Sequence, residues 1–274
     1  MTLEQVPADR HRAGVRRALI LAAGVGERRR PLTDELPKCL APVGGEPILV
    51  RALRTLADCG LSEVVIVVGH RREQIMDLIG RRFAGMDITY VAAPLYDRTN
   101  NICSFWEARD YCDQDLLLLE ADVLFEIDVM RRLLAHHGSS MAVAPYRSWH
   151  SGTVVRMADG GRVTAFVMGA EQGPEFDFGD CFKTANIYLL RADPLREHIM
   201  PAVAARVDAG HVQLYYESVF RDLVAAKRIE LFAVDVGDLL WCEVDDYQDL
   251  ETAESLFAPE TRSVERIQEP RGAR

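Results

Sequence analysis

Short, wholly apolar runs alternate with longer stretches in which apolar residues recur at helical spacing, from residue 17 to about residue 257. The runs 17–23 (RALILAA), 63–69 (EVVIVVG), 87–92 (DITYVA) and 115–122 (DLLLLEAD) predict strands. Residues 47–60, 71–81 and 101–112 predict helices, the first stopped by Gly60 and the third entered through Asn100 and Asn101. Strands apolar along their length and separated by helices imply a parallel sheet covered on both faces. The expected fold is therefore α/β, with a mostly parallel central sheet flanked by helices.

From about residue 124 the pattern loosens. It predicts a helix over 129–137, a strand over 140–146 and a hairpin over 153–167 turning at Asp159-Gly160-Gly161. A strand over 182–190 starts beside a lysine. Helices over 193–208 and 216–226, a strand over 229–235 and a helix over 245–257 follow. With no repeat and no Pro-rich linker, one domain over 17–257 is expected. The hairpin region is read as a small β-rich insertion over the sheet's edge, residues 1–16 as a flexible leader and 258–274 as a polar tail.

One stretch breaks the pattern. Between Leu19 and Leu49 the apolar run gives way to glycines, three arginines, Pro31 and Lys38. In open α/β sheets, ligands bind beyond the carboxyl ends of the strands, and this loop leaves such an end. Gly24 and Gly26 permit unusual backbone angles and let amides approach a ligand, while Arg28 and Lys38 offer charge to a polyphosphate. The stretch lacks G-x-x-x-x-G-K-[ST], so it is not a P-loop. It also lacks the third glycine, and the acidic residue after the second strand, of a dinucleotide site.

Charge and composition narrow the field further. The 274 residues carry a formal net charge of -10, with no basic stripe to hold nucleic acid. No apolar run is long enough to span a membrane, and the N-terminus lacks a secretory apolar core, so a cytoplasmic location is expected. The cysteines (39, 59, 103, 112, 181, 242) form no C-x-x-C pair and read as reduced thiols. His70, His136 and His137 read as surface or packing residues. Local basicity inside an acidic chain suits a small anion held by a few cations, with carboxylates elsewhere holding metal.

Leu21-Ala22-Ala23-Gly24-Val25-Gly26-Glu27-Arg28-Arg29-Arg30-Pro31-Leu32-Thr33, followed by Pro37-Lys38-Cys39-Leu40, resembles the signature of the sugar-phosphate nucleotidylyltransferases. The resemblance implies a Rossmann-like nucleotidyltransferase fold whose loop from Leu21 to Gly26 wraps a nucleoside triphosphate. In that reading Arg28 contacts the β- and γ-phosphates and Lys38 braces the reacting α-phosphate. It also implies two Mg²⁺ ligands. Asp122 follows the central strand, with Glu120 two residues before it. Asp245 lies in Glu243-Val244-Asp245, with Asp246 as the rival ligand or as the N-cap of the last helix.

The segments TNNICSFWEARDY (99–111), FKTANIYLL (182–190) and YYESVFRDL look like the phosphocholine and phosphonate cytidylyltransferase branch. Carried over residue by residue, Asn101 and Ser104 face the cytosine or the acceptor. Lys183, a further catalytic candidate, holds the acceptor's phosphonate or phosphate with help from Asn186. Tyr216 and Glu217 line the acceptor's tail, where an ammonium group favours an acid and an aromatic face. Cytosine contacts fall to backbone groups around Ala22 and Ala23. The implied partners are CTP and a small phosphonate or phosphate monoester of the 2-aminoethylphosphonate, 2-hydroxyethylphosphonate or phosphocholine type. A homodimer is one assembly compatible with this. The competing readings are a sugar-1-phosphate nucleotidylyltransferase and a catalytically silent binding subunit.

Overall fold

A computed structural model describes residues 14–26 and 35–257. The loop segment 27–34, with Arg28, and the terminal segments 1–13 and 258–274, with the tail and most of the leader, lie outside the described residues. The main elements are β1 (Arg17–Ala22), α1 (Ile48–Asp58), β2 (Glu63–Val68), α2 (Arg72–Ile79), β3 (Met86–Ala92), α3 (Asn101–Glu107), β4 (Leu116–Glu120) and β5 (Val123–Phe125). They continue with α4 (Ile127–Leu134), β6 (Ser140–Pro145), β7 (Val154–Met157), β8 (Val163–Val167), β9 (Phe182–Leu190), α5 (Met200–Asp208), α6 (Glu217–Ala225), β10 (Phe232–Asp235), β11 (Trp241–Glu243) and α7 (Tyr247–Phe257).

The large sheet runs in the order β8-β7-β9-β4-β1-β2-β3, with β6 and β10 joined through β9. Its centre is parallel: β1 pairs with β2 on one side (Leu19 opposite Val65) and β4 on the other (Leu19 opposite Leu118), and β2 pairs with β3. Strand β9 then runs antiparallel to β4, and the β7–β8 hairpin continues the sheet beyond it. The chain leaves β1 toward β2 and returns on the other side at β4, so a crevice opens beyond their carboxyl ends.

Both faces of the sheet's centre are buried, which is why β1, β2 and β4 carry no polar alternation. Ile20, Ile66 and Leu119 pack with α1, α2 and α4 through Leu53, Ile75 and Leu133. Leu19, Val65 and Leu118 pack on the other side with α3, α5 and α6 through Phe105, Val203 and Phe220. Helix α1 buries Ile48, Leu49, Ala52, Leu53 and Leu56, one stripe at helical spacing. The chain then turns at Gly60 (φ 85°), a conformation that favours glycine.

Two boundaries depart from the pattern. The helix expected over 101–112 ends at Glu107 and gives way to a tighter turn at Arg109–Tyr111. The helix expected over 193–208 contains a wide π turn at Leu195–Ile199. Pro201, which has no N–H to close the regular ladder, stands just beyond it. The hairpin turns where expected, at Asp159–Gly161, and a Cβ on Gly161 would come 2.9 Å from Ala233 O.

Candidate active site

A cavity of about 720 Å³ lies beyond the carboxyl ends of β1 and β4. Leu21, Ala22, Ala23, Gly24, Gly26, Lys38, Asn101, Ser104, Asp122, Lys183, Asn186, Glu217 and Asp245 all line it. Residues as far apart in sequence as Leu21 and Asp245 therefore converge on one wall system. Gly26 holds φ 69°, a conformation that favours glycine. Gly24 does not share that conformation, contrary to the sequence reading. A Cβ there would meet nothing within 4 Å, so the missing side chain leaves the cavity wall open instead. Gly69 serves by close approach: a Cβ on it would lie 2.6 Å from Ala23 O, the carbonyl that accepts from His70 N at 3.0 Å.

The acidic corner is built by β5 and β11. They pair antiparallel with Val123 opposite Glu243, and Val244 N donates to Asp122 O at 3.0 Å. Oxygens of Asp122, Glu243 and Asp245 consequently lie within 4.8 Å of one another. Lys38 Nζ donates to Asp122 Oδ2 and to Asp245 Oδ1, each at 2.5 Å. Burial alone would lower the Lys38 pKa, but Asp122 and Asp245 overrule it and hold the ammonium above its ordinary value. Asp246 points away from this corner. Its Oδ1 accepts from Gln248 N (2.8 Å) and Asp249 N (3.0 Å), capping α7.

Glu120, the neighbour of Asp122, lines the cavity, and so does Glu243, which the sequence did not single out as a ligand. On extended backbone, alternate residues face one side, and that periodicity pairs Glu243 with Asp245 and Glu120 with Asp122. Burial raises the Glu243 carboxyl; Lys183 pulls it down, while Asp122 and Asp245 push it up. Glu120 is raised well above the usual carboxylate range, first by burial and then by Asp122, Glu243 and Glu217. Asn101 Nδ2 donates to Glu120 Oε1 at 2.9 Å, and Asn101 Oδ1 accepts from Tyr216 N at 3.0 Å. The α3 start therefore braces both an acid and the segment leading into α6.

Lys183 is buried, yet its Nζ reaches the cavity. It donates to Thr184 O (2.7 Å) and Glu243 Oε2 (3.4 Å), which leaves one of three N–H groups without a protein acceptor among the described residues. Glu217 is 7% exposed and has only hydroxyls around it: it accepts from Thr153 Oγ1 at 2.7 Å and from the Tyr188 phenol, and Thr184 Oγ1 stands 3.4 Å away. No cation among the described residues pairs with it.

Tyr216, expected on the acceptor's tail, does not line the cavity. Its ring is 1% exposed and packs edge-on against Phe105 and Tyr188, inside the core rather than on the cavity wall. Helical phase explains the exchange: at the start of α6, Tyr216 faces the sheet while its neighbour Tyr215 lines the cavity. The cysteines form no disulfide, and burial pushes the Cys112 and Cys242 thiols up to about 12, consistent with inert thiols.

His150 lies in the loop that brings Ser151 and Gly152 to the cavity. Burial, then Lys183 and Arg147, push its pKa down to about 4, and its Nδ1 accepts from Arg147 N at 3.1 Å. Between the unfolded value near 6.5 and about 4, the unfolded chain binds a proton that the folded chain refuses, so acidification costs stability. Thermal melts should show a smaller loss for His150→Gln than for wild type between about pH 7.5 and about pH 5. Equal losses would contradict this reading.

A parallel-centred sheet, a glycine-bordered loop beyond its first strand and carboxylates beyond its fourth define the architecture of a nucleotidyltransferase. The chain belongs to the MobA-like NTP transferase domain family, whose pattern matches residues 18–229. It is 43% identical over 255 residues to the CMP-5'-(3-aminopropyl)phosphonate synthase of Streptomyces rubellomurinus, covering 92% of this chain but only 40% of that protein's length. It is 26% identical over 251 residues to the 2-aminoethylphosphonate cytidylyltransferase of Lancefieldella rimae, covering 85% of this chain and 89% of that one. Its fold matches the CTP:phosphocholine cytidylyltransferase of Streptococcus pneumoniae at a TM-score of 0.71 and 21% identity, over 88% of this chain and 98% of that one. Among the described residues, no helix is long and apolar enough to cross a membrane.

Proposed function

We propose that the protein transfers CMP from CTP to a small ω-aminoalkylphosphonate. A phosphonate oxygen attacks the α-phosphorus, the bond from that phosphorus to its bridging oxygen breaks, and pyrophosphate leaves with the electron pair. The acceptor is anionic near neutral pH, so no protein base is required. The observation that carries the acceptor's identity is Glu217, a buried carboxyl group facing the cavity with hydroxyl partners and no cation. A buried anion is expensive unless paired, and a ligand ammonium supplies the pair. The two phosphonate-directed relatives support the same acceptor class.

Lys38 and, from outside the described residues, Arg28 are assigned to the triphosphate. Lys183 gives its remaining N–H to the phosphonate. Ser104 and the backbone from Leu21 to Gly24 are assigned to the nucleoside. The acidic corner fits a hard divalent cation such as Mg²⁺: its donors are carboxylate oxygens, and Asp122 Oδ1 is buried with no hydrogen-bond partner among the described residues. Asp122 and Asp245, with Glu243 beside them, would hold the ion, which supplies charge neutralisation for phosphate oxygens when bound. Lys38 bridges those two carboxylates and holds them close together.

A pyrophosphate-release assay crossing the four common NTPs with 2-aminoethyl-, 3-aminopropyl- and 2-hydroxyethylphosphonate, phosphocholine and glucose 1-phosphate tests the reading. Turnover is expected with CTP and an aminoalkylphosphonate. Turnover confined to glucose 1-phosphate would make the protein a sugar-1-phosphate nucleotidylyltransferase instead.

A further inference from the structure

Strand β9 carries an irregularity that the reaction as proposed does not use. Thr184 stands opposite Val143 of β6 and Tyr188 opposite Met141, so Ala185, Asn186 and Ile187 face the single residue Ala142. Asn186, at the centre of this bulge, holds φ 56°. Asparagine enters that left-handed region more readily than most residues with a side chain, and bulges recur where a strand must re-aim a group at a site.

Both ends of the Asn186 carboxamide are engaged. Its Nδ2 donates to Glu243 Oε1 at 3.1 Å, and its Oδ1 accepts from Thr184 Oγ1 at 3.0 Å. The same Thr184 hydroxyl stands 3.4 Å from Glu217 Oε1, and the Thr184 carbonyl holds Lys183 Nζ. Glu243 Oε2 accepts from that same Nζ. Thr184 and Asn186 therefore form one hydrogen-bonded piece tied to the Lys183–Glu243 pair, and Glu217 packs against the Thr184 hydroxyl, whose one proton has Asn186 Oδ1 as its nearest acceptor.

We infer that Asn186 is a positioning residue that fixes the spacing between the phosphonate end and the ammonium end of the acceptor pocket. It thereby sets which carbon-chain length the enzyme accepts. The role rests on the proposed reaction, in which Lys183 meets the phosphonate and Glu217 the ammonium. Asn186 touches neither substrate group in this account; it acts through Glu243 and Thr184.

The test compares kcat/KM for 2-aminoethyl-, 3-aminopropyl- and 4-aminobutylphosphonate at saturating CTP in wild type, Asn186→Gly and Asn186→Asp. Glycine keeps the left-handed backbone accessible while removing the carboxamide. Aspartate keeps the shape and sets a carboxylate against Glu243. Wild type should favour one chain length, and Asn186→Gly should narrow that preference about tenfold, as expected for one lost hydrogen bond at a charged group. The change should appear in the ratios of acceptor KM between chain lengths, which a general loss at the acidic corner would leave unmoved. Asn186→Asp should narrow the preference as well, which keeps the test decisive should the glycine variant fold poorly. A wild type without length preference, or variants that retain the wild-type ratios at any overall rate, would overturn the spacer role and leave cytidylyl transfer standing. A wild type inert toward all three would overturn the proposed reaction and this role together.

Discussion

Asp122→Asn and Asp245→Asn each lose turnover by about 10³-fold or more, a loss of roughly 4 kcal/mol of transition-state stabilisation. The same variants melt at or slightly above the wild-type temperature. The two results belong together. Asp122, Glu243 and Asp245 are crowded within 4.8 Å, with Lys38 as the ammonium shared between the two aspartates, so removing one negative charge relieves repulsion in the folded state. Asparagine keeps an oxygen that Lys38 can reach. A carboxylate retained only for structure would show the opposite pattern, with stability lost and turnover kept. Near-wild-type kcat from either variant would remove that residue from the metal site.

Glu217→Gln changes the choice of acceptor. The side chain keeps its size and an oxygen for Thr153 or Tyr188, but loses the charge that an ammonium would meet. A hydrogen bond to a charged group contributes about 1.5–3 kcal/mol, so kcat/KM for an aminoalkylphosphonate should fall by roughly 10- to 150-fold. The rate with 2-hydroxyethylphosphonate, which brings no cation, should change far less. Parallel losses with both acceptors would show that Glu217 supports the Tyr188–Thr153 packing and does not read the acceptor.

The parallel centre of the fold was legible because both sheet faces are buried, and each of β1, β2 and β4 is apolar along its interior. The stretches around Lys38, Asp122 and Asp245 could be read because strand ends and loops gather ligand groups in this architecture. The choice between Asp245 and Asp246 was not legible: both carboxylates sit at one helix start, and only the cap made by Asp246 frees Asp245 to face Lys38. Tyr216 was misplaced because adjacent tyrosines give no clue to helical phase until α6 is docked on the sheet. Asn186 lines the cavity as expected, but nothing local signals the bulge that holds it. Its partners Thr184 and Glu243 meet only when β11 folds back from the other end of the chain. The link from Thr153 to Glu217, 64 residues apart, leaves no sequence signature at all.

In the proposed reaction a phosphonate oxygen becomes joined to the α-phosphorus of CTP. Phosphorus-31 NMR of purified protein incubated with CTP, Mg²⁺ and 3-aminopropylphosphonate observes that bond directly. Two new mutually coupled doublets are expected, one from a phosphonate and one from a phosphate phosphorus, growing in step with free pyrophosphate. A phosphonate resonance that stays a single uncoupled line, while the same preparation consumes CTP with glucose 1-phosphate, would contradict it.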